Sequence, residues 1–292
     1  MLKTVWLTEK LNSLAISSGC VMLLGGFDGL HCGHQKLVER AKTYALPVGI
    51  MTIVGGKGRE GLFTLAERER LFKEAGIDFV FEMEFSAIKN MSPETFAALL
   101  TREFPVQAFV CGDDFKFGKM AQGTPETLKQ ATRVRVEVVE LVKINGVKIS
   151  SCDIKNYLQA LKVEEANALL GRRFFLVGSV QKDRQIGRTL GFPTANIEYP
   201  QGKFSLKAGV YETRVTVDGR EYKGITNYGA RPTFDNDTVW TETYLDGFDG
   251  DLYGKTLTVE FVRFLRNVEK FDSADSLKKQ LQTDIRRVRE ND

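Results

Sequence analysis

Through the first half of the chain, short apolar runs alternate with amphipathic stretches. Val21-Met-Leu-Leu24 is an unbroken apolar run that stops at Gly25-Gly26, the pattern of a buried strand entering a turn. After Gly33 the period lengthens, and Leu37, Val38 and Ala41 are spaced for one face of a helix. Val48–Val54 predicts the next strand, Leu65–Ala75 a charged amphipathic helix closed by Gly76, and Phe79–Met83 a further strand. Pro93–Leu100 predicts a helix with Ser92 as its N-cap and Pro93 at its first position. Strands at Phe109–Cys111 and Val134–Val142 complete the series. Alternation of this kind predicts a doubly wound, mainly parallel α/β sheet.

From about Arg173 the grammar changes. Phe174–Val180, Gly209–Val217, Tyr222–Thr226, Thr241–Leu245 and Leu257–Phe264 are short strand-like runs separated by Gly and Pro turns. Only Ala274–Arg289 is clearly helical there. This predicts a small antiparallel β-barrel with a C-terminal helix. Ile154–Leu170 predicts one or two connecting helices, and the domains are expected to be 1–165 and 166–292.

Composition narrows the class. At 292 residues the chain is long enough for two cores without disulfide staples. Hydrophobic residues at 42% and charged residues at 27% argue against disorder and against a coiled coil. The net charge of +3 is spread evenly over both halves, so neither carries a nucleic-acid footprint. No apolar run approaches the length of a membrane span. Leu11–Cys20 makes a poor export signal, because Glu9, Lys10 and Asn12 interrupt the apolar region. Cys20, Cys32, Cys111 and Cys152 form no CxxC pair and suggest no zinc site. Reduced thiols and a cytoplasmic location are therefore expected.

The chain has two histidines, and both fall in Gly25-Gly-Phe-Asp-Gly-Leu-His-Cys-Gly-His34. This segment lies where the first strand feeds the first helix, the crevice in which doubly wound sheets bind ligands. Glycines let backbone N–H groups approach an anion, and the helix start favours negative charge. His31 and His34 are three apart, so a helical start puts them on one face. Two imidazoles facing a phosphate can donate to charge developing at phosphorus. The plainer alternative is that they cap or pack.

The pattern G-x-F-D-G-x-H-x-G-H resembles the HxGH nucleotidyltransferase superfamily, specifically the prokaryotic FAD synthetases. That resemblance implies a Rossmann-like fold, catalytic His31 and His34, and nucleotide contacts from Gly25, Phe27, Asp28 and Gly29. Cys111-Gly-Asp-Asp-Phe-Lys-Phe-Gly118 resembles the family's second glycine motif and places Asp114 at a nucleotide-contacting position. Ile149-Ser-Ser-Cys-Asp-Ile-Lys155 resembles its Ser-Ser-Thr-x-Ile-Arg element. Ser150 and Ser151 would cap a helix and hold the departing pyrophosphate, with Lys155 as counter-charge. Cys152 replaces the family's Thr, and Lys155 replaces its Arg, keeping the charge without the bidentate fork. The family's Pro- and His-containing loop is also missing, with Gly55-Gly-Lys-Gly-Arg-Glu-Gly61 in its place. These departures bear on the efficiency of adenylyl transfer.

In the β region, Gly187-Arg-Thr-Leu-Gly-Phe-Pro-Thr-Ala-Asn196 contains the P-T-A-N element of riboflavin kinases. Gly178-Ser-Val180, Gly209-Val-Tyr211, Asn227-Tyr-Gly-Ala-Arg-Pro-Thr-Phe234, Glu242-Thr-Tyr, Phe248-Asp-Gly-Asp-Leu-Tyr-Gly254 and Arg266-Asn-Val-Glu-Lys-Phe271 follow the same family frame. The resemblance implies Thr194 and Asn196 as Mg²⁺ and ATP ligands. It implies Glu242 as the acceptor of the ribityl hydroxyl proton, Gly187 and Gly191 as nucleotide-binding, and Arg266 as flavin-binding. An ion pair between Arg266 and Glu269 is an equal alternative. Lys182, Arg184 and Arg188 are basic residues of the same region. Asp246, Asp249 and Asp251 read as solvated turn residues.

Taken together, the chain resembles bifunctional riboflavin kinase/FAD synthetases over nearly its whole length. The resemblance implies Mg²⁺ as cofactor, with ATP, riboflavin, FMN and FAD as substrates or products. Neither nucleic acid nor membrane is an expected partner. Three rivals stand beside this: a kinase with a degenerate adenylyltransferase domain, a nucleotidyltransferase for another phosphorylated acceptor, and a non-catalytic flavin-binding regulator.

Overall fold

The structure is a computed structural model that describes residues 2–7, 16–55, 60–140, 143–144, 147–182, 191–230 and 238–290. Gly187, Arg184, Arg188 and most of the Gly55–Gly61 loop lie outside the described residues. The chain divides into two compact units, Met1–Gly61 with Leu65–Ser151, and Leu62–Thr64 with Cys152–Asp292.

The first unit contains β1 (Leu2–Trp6), β2 (Cys20–Leu24), α1 (Cys32–Lys42), β3 (Val48–Val54), α2 (Leu65–Glu74), β4 (Phe79–Glu84) and α3 (Phe85–Ile88). It continues with α4 (Pro93–Glu103), β5 (Val106–Gly112), a 3₁₀ turn at Lys119–Ala121, α5 (Pro125–Thr132), β6 (Arg135–Val139) and the two-residue strands β7 (Lys143–Ile144) and β8 (Val147–Lys148). Its sheet runs β1-β4-β3-β2-β5-β6, parallel except for β1, which pairs antiparallel with β4 at one edge. β2 is buried at every position because strands flank it and helices cover it. The core on one side of this sheet is aromatic and aliphatic, with Met22, Leu24, Phe79, Phe81, Phe96, Leu100 and Phe109. Ser92 caps α4 through the N–H of Thr95 at 3.2 Å, as its sequence indicates. α5 opens with the same device, Thr124 followed by Pro125.

The second unit begins with α6 (Ser151–Gln159), whose first residue still belongs to the first unit, and α7 (Val163–Leu170). The strands are β9 (Phe174–Ser179), β10 (Thr194–Glu198), β11 (Gly209–Val217), β12 (Arg220–Ala230), β13 (Val239–Leu245) and β14 (Thr256–Arg266), and α8 (Ala274–Glu290) closes the chain. Every pairing in the order β10-β13-β12-β11-β14-β9 is antiparallel. The sheet curls until its edges meet, where Gln181 N–H donates to Asn196 O at 2.8 Å. The compact division falls earlier than the expected 165/166 boundary. Within the second unit Gln159 of α6 donates to Ser205 O at 2.6 Å, and α7 packs on β9 and β14, where Asn167 bonds to Phe174 N–H and to Phe261 O.

Buried threonines line part of the barrel interior. The hydroxyls of Thr213, Thr226 and Thr243 form a chain with 2.9 Å spacings. Outside, α8 lays Ile285 and Val288 on Val210, Ile225 and Leu265. Leu62–Thr64 belongs with this unit because Phe63 stacks on Phe175, at 4.6 Å between centroids. The buried Lys203 lies over the Phe63, Phe174 and Phe175 rings and donates to Leu62 O at 3.2 Å. Among the described residues no helix is long and apolar enough to cross a membrane.

Candidate functional site

At the carboxyl end of β2 the chain turns sharply before α1. Gly29 takes φ +86°, where a side chain would be strained, and Phe27 and Leu30 are held at φ +45° and +44°. Strain of this kind persists only where packing fixes it. Here the Phe27 and Leu30 side chains are completely buried. Phe27 thus works from beneath the turn: its ring lies 4.8 Å from that of His34.

The two histidines meet as their spacing indicates, but they differ in role. Their rings stack at 3.7 Å between centroids. His31 is 3% exposed and is the N-cap of α1, with its Nδ1 accepting from His34 N–H at 3.4 Å. His31 thus makes the helix-capping contact. Gly33 lies against its ring, so closely that a Cβ there would stand 3.2 Å from His31 Nδ1. His34 instead lines a cavity of about 260 Å³ together with Gly25, Gly26, Gly112, Asp114 and Lys116. Its Nδ1 is enclosed and has no hydrogen-bond partner among the described residues. Burial holds the His34 imidazole well below its usual pKa, with His31 and Arg68 adding to the effect.

Arg68 was not legible as a site residue. From α2 it donates to Gly26 O at 3.1 Å and to the Thr52 hydroxyl, tying the glycine turn to β3. Burial lowers its pKa, while Asp28 and Glu82 pull the other way. Asp114 pairs with Lys148. Ser151, the first residue of α6, donates to Asp28 O at 2.8 Å, linking the Ser-Ser element to the glycine turn. Lys155 belongs to the second unit, with its ammonium 5.7 Å from the Phe204 ring centre.

In the second unit, strand register assembles the candidate residues. Asn196 of β10 is paired with Glu242 of β13, and Thr194 is two positions away on the same face. Thr194 and Asn196 line a cavity of about 380 Å³ that also takes in Asp249, Asp251 and Tyr253. Asn196 Nδ2 donates to Thr194 O at 3.5 Å. The turn aspartates divide, contrary to their uniform reading as solvated residues. Asp249 and Asp251 line this cavity while remaining exposed, whereas Asp246 is bound by Arg289 through two contacts of 2.7 Å. The Arg289 guanidinium holds the Asp246 carboxyl below its usual range. Gly191 takes φ +84° just before the P-T-A-N segment. Lys182 lies 5.9 Å from the Tyr253 ring centre.

The Arg266 guanidinium is engaged by the fully buried Asp284 of α8, through contacts of 2.8 to 3.2 Å. Its carboxylate partner is thus Asp284, where the sequence had offered Glu269.

Comparison with known proteins agrees with both halves. The family profile described as FAD synthetase matches residues 13–153, and that described as riboflavin kinase matches residues 170–291. The bifunctional riboflavin kinase/FMN adenylyltransferase of Pseudomonas fluorescens is 33% identical over 288 residues, covering 93% of this chain and 92% of that protein. The protein of that description from Bacillus subtilis is 32% identical, covering 90% of each chain. The one from Escherichia coli K12 is 32% identical, covering 95% and 94%. A crystal structure described as a macrolide-efflux protein from Streptococcus pneumoniae matches with a TM-score of 0.85 at 31% identity, covering 93% of this chain and 94% of that one. By sequence along its whole length, the chain belongs to the bifunctional riboflavin kinase/FMN adenylyltransferase family.

Proposed function

We propose that the chain makes flavin nucleotides in two steps at two sites. The second unit moves the γ-phosphoryl group of ATP onto the ribityl 5′-hydroxyl of riboflavin, giving FMN and ADP. The first unit joins the FMN phosphate to the α-phosphorus of ATP, giving FAD and pyrophosphate. The observation that carries this reading is the cross-strand pairing of Glu242 with Asn196, which sets a carboxylate beside the ATP-site segment.

In the kinase step Glu242 accepts the proton of the 5′-hydroxyl as the new P–O bond forms. Thr194 and Asn196 supply oxygen ligands for Mg²⁺, and the same cavity is lined by Asp249 and Asp251, an oxygen set suited to a hard cation. When bound, the ion neutralises charge on the transferring phosphates. Among the described residues no group of three His, Cys, Asp or Glu side chains could hold a metal by itself. The remaining coordination therefore falls to phosphate and water. Gly187 and Gly191 contribute to nucleotide binding. Arg266 serves the flavin indirectly, by anchoring α8 through Asp284.

In the adenylyl step the His34 imidazole, which lines the cavity beside Gly25 and Gly26, faces the α-phosphoryl group. His31 holds it there by stacking and by capping α1. Gly25, Asp28 and Gly29 shape the phosphate turn, with Phe27 as its packed support. Asp114, Ser150 and Ser151 contact the nucleotide.

The substrates are small molecules, and the balanced charge favours no nucleic-acid partner. We place the chain in the cytoplasm. All four cysteines are free, and burial pushes the Cys20 and Cys111 thiols up to about 12. One rival keeps specific support: Lys155 for Arg and the Gly55–Gly61 loop favour a chain that stops at FMN. Incubation with riboflavin, ATP and Mg²⁺, read by mass spectrometry, separates these readings. FMN and FAD are the expected products. FMN alone would establish the kinase-only reading, and neither product would contradict both.

A further inference from the structure

Glu242 has a second cross-strand neighbour. Asn196 lies opposite it on β10, and Asn227 lies opposite it on β12. Directly paired residues share a sheet face, with Cβ atoms roughly 5 Å apart. The next residues along the two strands, Thr226 and Thr243, bond to each other in the barrel interior. Asn227 and Glu242 therefore face outward, on the side where α8 covers Ile225.

The Asn227 Oδ1 is buried and has no hydrogen-bond partner among the described residues. Of the buried side-chain atoms in that condition, it is the only one in the described part of the second unit; the others belong to His34, Arg68 and Glu82. An enclosed amide oxygen without a donor is costly, and such groups mark places where a ligand completes the site. Its immediate neighbours in the row cannot complete it. An ionised Glu242 has only acceptor oxygens. On the other side Asn227 is paired with Val210, whose side chain is apolar. Among the described residues no donor fills this place, and a ligand group lying beside Glu242 would supply one.

We propose that Asn227 is a binding residue of the kinase site, whose Oδ1 accepts a hydrogen bond from one of the ribityl hydroxyls that is not phosphorylated. The ribityl chain carries three such hydroxyls next to the reacting one. With one of them held by Asn227, the terminal hydroxyl is steered to the carboxylate opposite. This rests on the assignment of Glu242 as proton acceptor for riboflavin, and it adds a residue that reads the polyol chain.

The test uses the full chain with riboflavin and its 2′-, 3′- and 4′-deoxy analogues. Asn227→Ala is expected to raise KM for riboflavin roughly five- to ten-fold, the size of one neutral hydrogen bond, with a smaller change in kcat. For one analogue the unaltered chain should already show that loss, and Asn227→Ala should add nothing to it. Asn227→Ser keeps a hydroxyl acceptor and should recover part of the riboflavin KM. If the Ala variant does not fold, the Ser variant taken through the same analogues decides. Adenylylation of added FMN should stay at the parent rate in both. An equal loss in kcat/KM for riboflavin and all three analogues would mean that Asn227 acts only through Glu242 or through packing, and would overturn the proposal. Unchanged riboflavin kinetics would overturn it too. A parent chain that forms no FMN would instead remove the kinase reading on which it rests.

Discussion

Gly25–His34 carries the heart of the first site within one turn and the start of one helix, so its histidines are brought together by the local geometry of α1. The second site has no such local centre. The residues proposed for it are scattered: Thr194 and Asn196 come from β10, Glu242 from β13, Asn227 from β12 and Arg266 from β14, and only the antiparallel register sets Asn196, Glu242, Asn227 and Arg266 in one row, with Thr194 two positions away. The difference lies in what each site depends on. The first is vulnerable to whatever disturbs a strained turn; the second is vulnerable to whatever shifts a strand or lifts the helix that packs over it. The first can be read as a motif, whereas the second can be read fully only after the strands are paired.

The largest effects should come from removing the reacting groups. In His31→Ala/His34→Ala, loss of preorganised donors costs about 2.7–4 kcal/mol each where both touch the developing charge. FAD formation from FMN and ATP should fall at least about a hundred-fold, with FMN formation kept. Since His31 acts here through His34, the single His34→Ala change should account for most of that loss. An equal loss of FMN formation would mean that the pair only holds the protein together. Glu242→Gln keeps the volume and removes the base, and FMN formation should fall by about 10²–10⁴-fold. Steady-state rates with riboflavin and with FMN read the two effects separately.

Smaller effects test how each site is supported. Asp284→Ala leaves the Arg266 guanidinium without its buried carboxylate, a change that typically costs about 3–5 kcal/mol. A thermal melt should show the second unit unfolding earlier, with FMN formation lost above that temperature and adenylylation of FMN retained. An unchanged melt would mean that α8 is held by its apolar face alone.

The smallest effect is a pH dependence. Folding lowers the His34 pKa, so the native state binds the proton less readily than the unfolded chain. The stability this contributes is complete above the unfolded value of about 6.5 and is lost as the pH falls below it. Calorimetry between about pH 7 and pH 5 should show a slope in stability that His34→Ala makes shallower. An identical slope in the variant would place the proton elsewhere.

Much of the architecture was legible because the sequence signals were local. The apolar run of β2, the face of α1 and the Ser92-Pro93 start of α4 each depend on a few consecutive residues. α5 carried the same kind of start signal, Thr124-Pro125, yet went unread because its eight residues bury only Leu128. β1 went unread because an antiparallel edge strand is stabilised by its neighbour β4, which no local pattern reveals. Arg68 lies 42 residues from its partner Gly26, and nothing in α2 distinguishes it from the other charged residues of an amphipathic helix. Phe63 sits in the first half of the sequence yet packs with Phe174 and Phe175. Family resemblance points to Glu242 and to the segment that Asn227 opens, but only the register sets Asn227 opposite Glu242.

The account's central claim is that the two half-reactions belong to separate sets of residues. The most direct measurement is product analysis by mass spectrometry on folded Glu242→Gln and His31→Ala/His34→Ala proteins, each given riboflavin, ATP and Mg²⁺, and separately FMN, ATP and Mg²⁺. Glu242→Gln should give FAD from FMN and almost nothing from riboflavin. The double histidine variant should give FMN from riboflavin and no FAD from either substrate. Loss of both products in either folded variant, or normal FAD output from the double histidine variant, would contradict the account.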